Sequence, residues 1–170
     1  ASQGRKGRRT DHVMGVAQTT RDLLHIGVEP GVGSLLELGT GCGVAALKQA
    51  AIGSSVTATD INPRALNVAR FNMLMNRCEI ELLEGSLFEP VAGRTFDRVV
   101  SNPPFVISPH DDKFIYRDGG MEGDGFVRTI IGQVPDLLNP GGQARIMAQW
   151  AIYEGQDWED RLRSWADGSG

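Results

Sequence analysis

The sequence predicts an α/β domain: a three-layer, mainly parallel sheet with helices on both faces. Two observations carry this. Short apolar runs alternate regularly with helical stretches, and strands covered on both faces read as such runs. The runs also end in Gly-rich, acidic or Asn-Pro punctuation, at the strand ends where such sheets bind ligands. A chain of 170 residues fits one domain with a sizeable core.

The elements follow in order. Residues 1–10 hold Arg5, Lys6, Arg8 and Arg9 with no acid among them, and read as a basic flexible segment ahead of a single domain over 11–170. Asp11 to Ile26 is predicted helical, with Val13, Val16, Leu23, Leu24 and Ile26 on its apolar face, and Glu29-Pro30-Gly31 ends it. Ser34 to Leu38 is the first strand, followed by a Gly-rich turn and a helix over Val44 to Ala51. Ser55 to Thr59 is the second strand, ending at Asp60. Asn62-Pro63 opens a helix to about Asn76, with Asn as N-cap and Pro at the first position. Glu79 to Leu83 is the third strand and Phe96 to Ser101 the fourth. After a loop from Ile107 to Gly123, a helix is expected over Phe126 to Leu138. Asn139-Pro140-Gly141-Gly142 then turns into a fifth strand, Gln143 to Ala148, and a last helix runs from Tyr153 to Ala166.

Composition excludes several classes. Hydrophobic content of 41% with 22% charged residues is that of a soluble globular protein, and a net charge of −4 argues against a generic polyanion binder. Cys42 and Cys78 form no C-x-x-C, and His12, His25 and His110 lie far apart, so neither a disulfide framework nor a structural zinc is expected. No apolar run approaches a membrane span and no signal peptide is visible, so a reducing cytoplasm is the default expectation.

Three strand ends carry chemistry. Glu37-Leu38-Gly39-Thr40-Gly41-Cys42-Gly43 lets the backbone turn tightly and a ligand approach without Cβ atoms in the way. Asp60, about 20 residues on, is placed to take both hydroxyls of a ribose. Asn102-Pro103-Pro104-Phe105 is a stiff strand end, because each proline drives the residue before it into extended geometry. It offers a side-chain amide, carbonyls and an aromatic ring, which together suit a planar amino group. Ser86, in Glu84-Gly85-Ser86-Leu87, is a candidate for an adenine edge, and Ile61 for its face.

With these motifs in this order, the chain resembles the class I S-adenosylmethionine-dependent methyltransferases, and among them the small-domain group carrying N-P-P-[FY]. The resemblance implies a Rossmann-like fold and transfer of methyl to a nitrogen conjugated to a planar system. The first expectation is an exocyclic base amine of ribosomal RNA or DNA, with the glutamine amide of a release factor as the alternative. It implies S-adenosylmethionine as methyl donor, S-adenosylhomocysteine as product and no metal. Glu37, Gly39, Thr40, Gly41 and Gly43 would hold the methionine portion and Asp60 the ribose. Ile61, Ser86 and Leu87 would flank the adenine, with Asn102 beside the donor. Asn102, Pro103, Pro104 and Phe105 would bind the target amine. Tyr116 and Arg117, in the glycine-laden loop Tyr116 to Gly125, are the substrate-loop candidates.

A full class I domain has seven strands, whereas five are found, so the chain is expected to be incomplete at its C-terminus; a naturally minimal five-strand sheet is the alternative. A nicotinamide-dependent oxidoreductase is a distant third reading. Its fingerprint requires Gly at position 44, which is Val.

Overall fold

The computed structural model describes residues 11–103 and 124–167. Along them α1 spans Gln18–Gly27, β1 Ser34–Leu38, α2 Val44–Ala50, β2 Ser55–Asp60 and α3 Pro63–Asn76. β3 spans Glu81–Glu84, β4 Phe96–Ser101, α4 Gly125–Gln133, β5 Leu138–Ile146 and α5 Trp158–Ala166. The strands lie side by side in the order β3-β2-β1-β4-β5, each neighbouring pair parallel. Strand order reverses between β1 and β4. The C-terminal ends of β2, β1 and β4 therefore share one rim, as the motif reading requires.

Alternation along β1 explains the two covered faces. Leu35 packs with Leu23, Val56, Ala58 and Val100 beneath the helices α1 and α2. Leu36 and Leu38 turn the other way, joining Val99, Ile130 and Val134 on the α4 side. Leu35 and Leu36 are fully buried, each contributing about 2 kcal/mol of transfer free energy.

Several boundaries differ from expectation, each for an identifiable reason. The first helix begins at Gln18, not Asp11. Residues 11–17 are instead tied to α3: the Asn62 side-chain amide donates to the Asp11 carbonyl at 3.2 Å, and Arg64 pairs with the Asp11 carboxylate at 3.6 Å. The third strand starts two residues late because α3 closes through Arg77 in the left-handed region, with Cys78 N–H donating back to the Met73 carbonyl. The predicted helix over 126–138 divides at Pro135, which has no N–H to give, so α4 ends at Gln133 and a 3-10 turn follows.

The predicted turn at 139–142 is folded into β5. Phe96 pairs with Leu138 but Arg98 with Gln143, so the four intervening residues bulge opposite Asp97, which accepts the Asn139 side-chain amide at 2.8 Å. The last helix starts at Trp158 rather than Tyr153, because Asp157 caps it, accepting the N–H groups of Glu159 and Asp160. By contrast, Asn62 caps α3 as expected, accepting the Arg64 N–H at 3.0 Å with Pro63 at the first helical position.

Candidate active site

A cavity of about 480 Å³ opens at the C-terminal ends of β1, β2 and β4. Its floor is the turn after β1. Gly39 and Gly41 adopt φ of +69° and +54°, and a Cβ at either would meet no atom within 4 Å. The bare backbone therefore faces open space that a ligand can use. Gly43 does something else. At φ +80° it begins α2, and a Cβ there would come within 3.0 Å of the Ala69 Cβ, so it serves the contact of α2 with α3 and does not line the cavity.

Two carboxylates hold this turn. Glu37 is buried, and one of its oxygens accepts both the Thr40 hydroxyl at 2.7 Å and the Ala46 N–H at 2.9 Å. Burial pushes its pKa up from 4.5 to about 7; the bonds from Thr40 and Ala46 oppose the shift and the charge of Asp60 adds to it. Asp60, at the end of β2, accepts the Gly41 N–H on one oxygen and the Asn62 N–H on the other, both at 2.8 Å. Burial raises its pKa too, against the lowering effect of those N–H groups.

The raised Glu37 pKa has a consequence for stability. The unfolded chain releases this proton near 4.5 and the fold near 7. The contribution is therefore complete below the lower value and is lost as pH rises through the upper one, at a cost of about 3 kcal/mol. Glu37→Gln should remove that loss, so its stability relative to wild type should be greater at pH 8 than at pH 4.5. Urea unfolding of both proteins at the two pH values measures this, and an unchanged difference would refute it.

The remaining predicted residues divide into three groups. Thr40, Ile61, Ser86 and Leu87 line the cavity together with Asn102 and the carboxylates. Leu87 holds φ of +46°, an unusual geometry for a leucine that marks the turn after β3 as strained. Pro103 is buried and does not line the cavity. Pro104, Phe105, Tyr116 and Arg117 lie outside the described residues, as does the basic segment 1–10.

Asn102 is the most informative position. It follows β4 directly, and its Nδ2 donates to the Thr19 hydroxyl at 3.4 Å. Its Oδ1 is buried and accepts no hydrogen bond among the described residues. The neighbouring Ser101 hydroxyl donates to the Leu38 carbonyl, tying β4 to β1 at the rim.

Sequence reasoning missed the segment 11–15, which lines the cavity together with the Gly-rich turn. The signal was Gly15, a poor residue for a helix interior, ahead of Thr19 and Thr20. Among the described residues no cluster of His, Cys, Asp and Glu could hold a metal ion, and no helix is long and apolar enough to cross a membrane.

Comparison with known proteins agrees with this geometry. Residues 16–156 match the family model described as methyltransferase small domain. A release factor glutamine methyltransferase of Geobacter sulfurreducens is 35% identical over 99 residues, covering 52% of this chain and 35% of its own. A Methanocaldococcus jannaschii protein provisionally named a protein N5-glutamine methyltransferase is 33% identical over 133 residues, covering 75% and 61%. The matched part thus spans between about a third and three-fifths of these relatives' lengths.

Among solved structures, a methyltransferase from Pyrococcus furiosus superposes with a TM-score of 0.61 at 23% identity, over 87% of this chain and 68% of that one. A T. thermophilus 16S rRNA N2 methyltransferase, solved with AdoMet and guanosine, gives 0.54 at 21% identity, over 69% and 29%. Both likenesses are of fold. With the parallel sheet, the cavity at its switch point and a family match over most of its length, the chain belongs to the methyltransferase small-domain family of class I S-adenosylmethionine-dependent methyltransferases.

Proposed function

We propose that the protein is an S-adenosylmethionine-dependent N-methyltransferase whose acceptor is the side-chain amide of a protein glutamine. One observation carries the acceptor half of this reading: Asn102 is among the cavity-lining residues, and its buried carbonyl oxygen accepts no hydrogen bond among the described residues. Such an oxygen costs about 1–3 kcal/mol, and an N–H group entering the cavity removes that cost. A planar –NH2 is a donor of the required kind.

The cavity also fits the methyl donor. It has a ligand-sized volume, open space over Gly39 and Gly41, and an acid at the end of β2. When bound, S-adenosylmethionine supplies a methyl group already activated by a positively charged sulfur. Everything else falls to the chain's own residues. Each Asp60 oxygen keeps lone-pair capacity beyond the N–H it already accepts, so the carboxylate can take two adjacent ribose hydroxyls. Asp60 and the deprotonated form of Glu37 set negative charge beside a cationic ligand.

Asn102 Oδ1 accepts one N–H of the acceptor, turns the nitrogen lone pair toward the methyl group and stabilises the positive charge that grows there. Catalysis is then chiefly alignment of nitrogen, carbon and sulfur, and the nitrogen's surplus proton leaves to water.

Glutamine is favoured over a base amine by the names of the relatives, one of them matched over three-quarters of this chain. The base amine, placed first on sequence grounds, needs the same acceptor geometry, and the net charge of −4 lends it no general attraction to a polyanion. The test is methyl transfer by the full chain from labelled S-adenosylmethionine to a release factor, to glutamine-containing peptides and to ribosomal RNA. Label on a glutamine is the expected result. Label on RNA alone would overturn the acceptor, and calorimetry without saturable S-adenosylmethionine binding would overturn the whole reading.

A further inference from the structure

We infer that Thr19 is a positioning residue for methyl transfer, anchoring the Asn102 side-chain amide from α1. The inference rests on the function proposed above and assigns α1 a part in it. Transfer by alignment needs the Asn102 amide held still, and a side-chain amide turns about two bonds unless a partner restrains it.

Thr19 Oγ1 lies behind the amide and accepts from Nδ2 at 3.4 Å, so the side chain is anchored to α1. The oxygen of the same amide is buried and accepts no hydrogen bond among the described residues.

The stripe of α1 that faces β4 explains why Thr19 stands there. Thr19, Leu23 and Gly27 recur at four-residue intervals and so share one side of the helix. Gly27 lies so close to β4 that a Cβ would meet Val100 Cγ1 at 2.9 Å. Leu23, 1% exposed, packs in the same apolar cluster as Val100. These two contacts set the height and rotation of α1. The third member of the stripe then reaches the residue two positions beyond Val100, which is Asn102.

Thr19→Val keeps the branched shape and removes the acceptor; Thr19→Ser keeps the acceptor and removes a methyl group. With the full chain and its glutamine acceptor, kcat for Thr19→Val should fall about tenfold, the effect of losing roughly one hydrogen bond. Its S-adenosylmethionine Kd should stay within twofold of wild type, about the scatter of such a measurement. Thr19→Ser should recover most of the turnover. Wild-type turnover in Thr19→Val, or an equal loss in both variants, would overturn the inference.

A second readout is independent of the acceptor's identity. Exchange of the Asn102 side-chain amide protons, assigned by NMR through their disappearance in Asn102→Asp, should quicken in Thr19→Val and not in Thr19→Ser. Equal exchange in all three proteins would overturn the positioning role. If wild type methylates none of the acceptors, the proposed function fails, and the exchange measurement still decides whether Thr19 holds the amide.

Discussion

Asn102→Ala is expected to lower methyl transfer by about a hundredfold or more while leaving S-adenosylmethionine affinity nearly unchanged. The size follows from the kind of interaction lost. In the proposed role, a carbonyl that accepts from the nitrogen gaining positive charge contributes roughly 3 kcal/mol, and each 1.4 kcal/mol is about tenfold in rate. Alanine deletes that acceptor and exposes the Thr19 hydroxyl to the space the amide held. The proposed anchors of the cofactor, the turn at 39–41 after β1 and Asp60 at the end of β2, stay in place. Single-turnover kinetics with calorimetry separates the two effects. An equal loss of transfer and binding would mean that Asn102 holds the methyl donor instead of the acceptor.

Asp60→Ala is the converse, and should weaken S-adenosylmethionine binding by about a hundredfold. Two hydroxyl-to-carboxylate bonds are lost, each contributing about 1.5–3 kcal/mol, and part of the loss is recovered because the buried charge goes with them. The substitution also releases the Gly41 and Asn62 N–H groups, so the turn over the cavity floor loosens. Asp60→Asn retains one oxygen acceptor but sets an amide N–H against one of these N–H groups, and should fall between wild type and alanine. Calorimetric titration of the three proteins, with thermal melts to show that each is folded, provides the measurement. A Kd for Asp60→Ala within threefold of wild type would remove the carboxylate from the proposed site.

Much of this was legible before any coordinates. β1, β4 and α3 begin and end within a residue of their expected limits because local signals agree there: β-branched and leucine runs for the strands, Asn62-Pro63 for the helix start. Where prediction missed, a tertiary contact or an overlooked capping residue decided the outcome. Asp157 and Pro135 were readable and simply outweighed by apolar spacing. Residues 11–17 were different. Their pattern reads as helix, yet Asp11 is bound by Asn62 and Arg64, some fifty residues away, and no local rule foresees that.

The sequence by itself determined the class of fold, the order of its strands and helices and the types of residue at each strand end, because these follow from short-range periodicity and from what glycine, proline and asparagine do to a backbone. Only the tertiary structure decided how those residues are used. It committed Gly43 to helix contact and bound Asp60 to the floor of the cavity. It also drew residues 11–15 into the cavity wall and set Thr19 of α1 against Asn102, whose amide oxygen accepts no hydrogen bond among the described residues. The reason is that a buried polar atom's partners are set by which elements the sheet brings side by side, and sequence distance does not encode that.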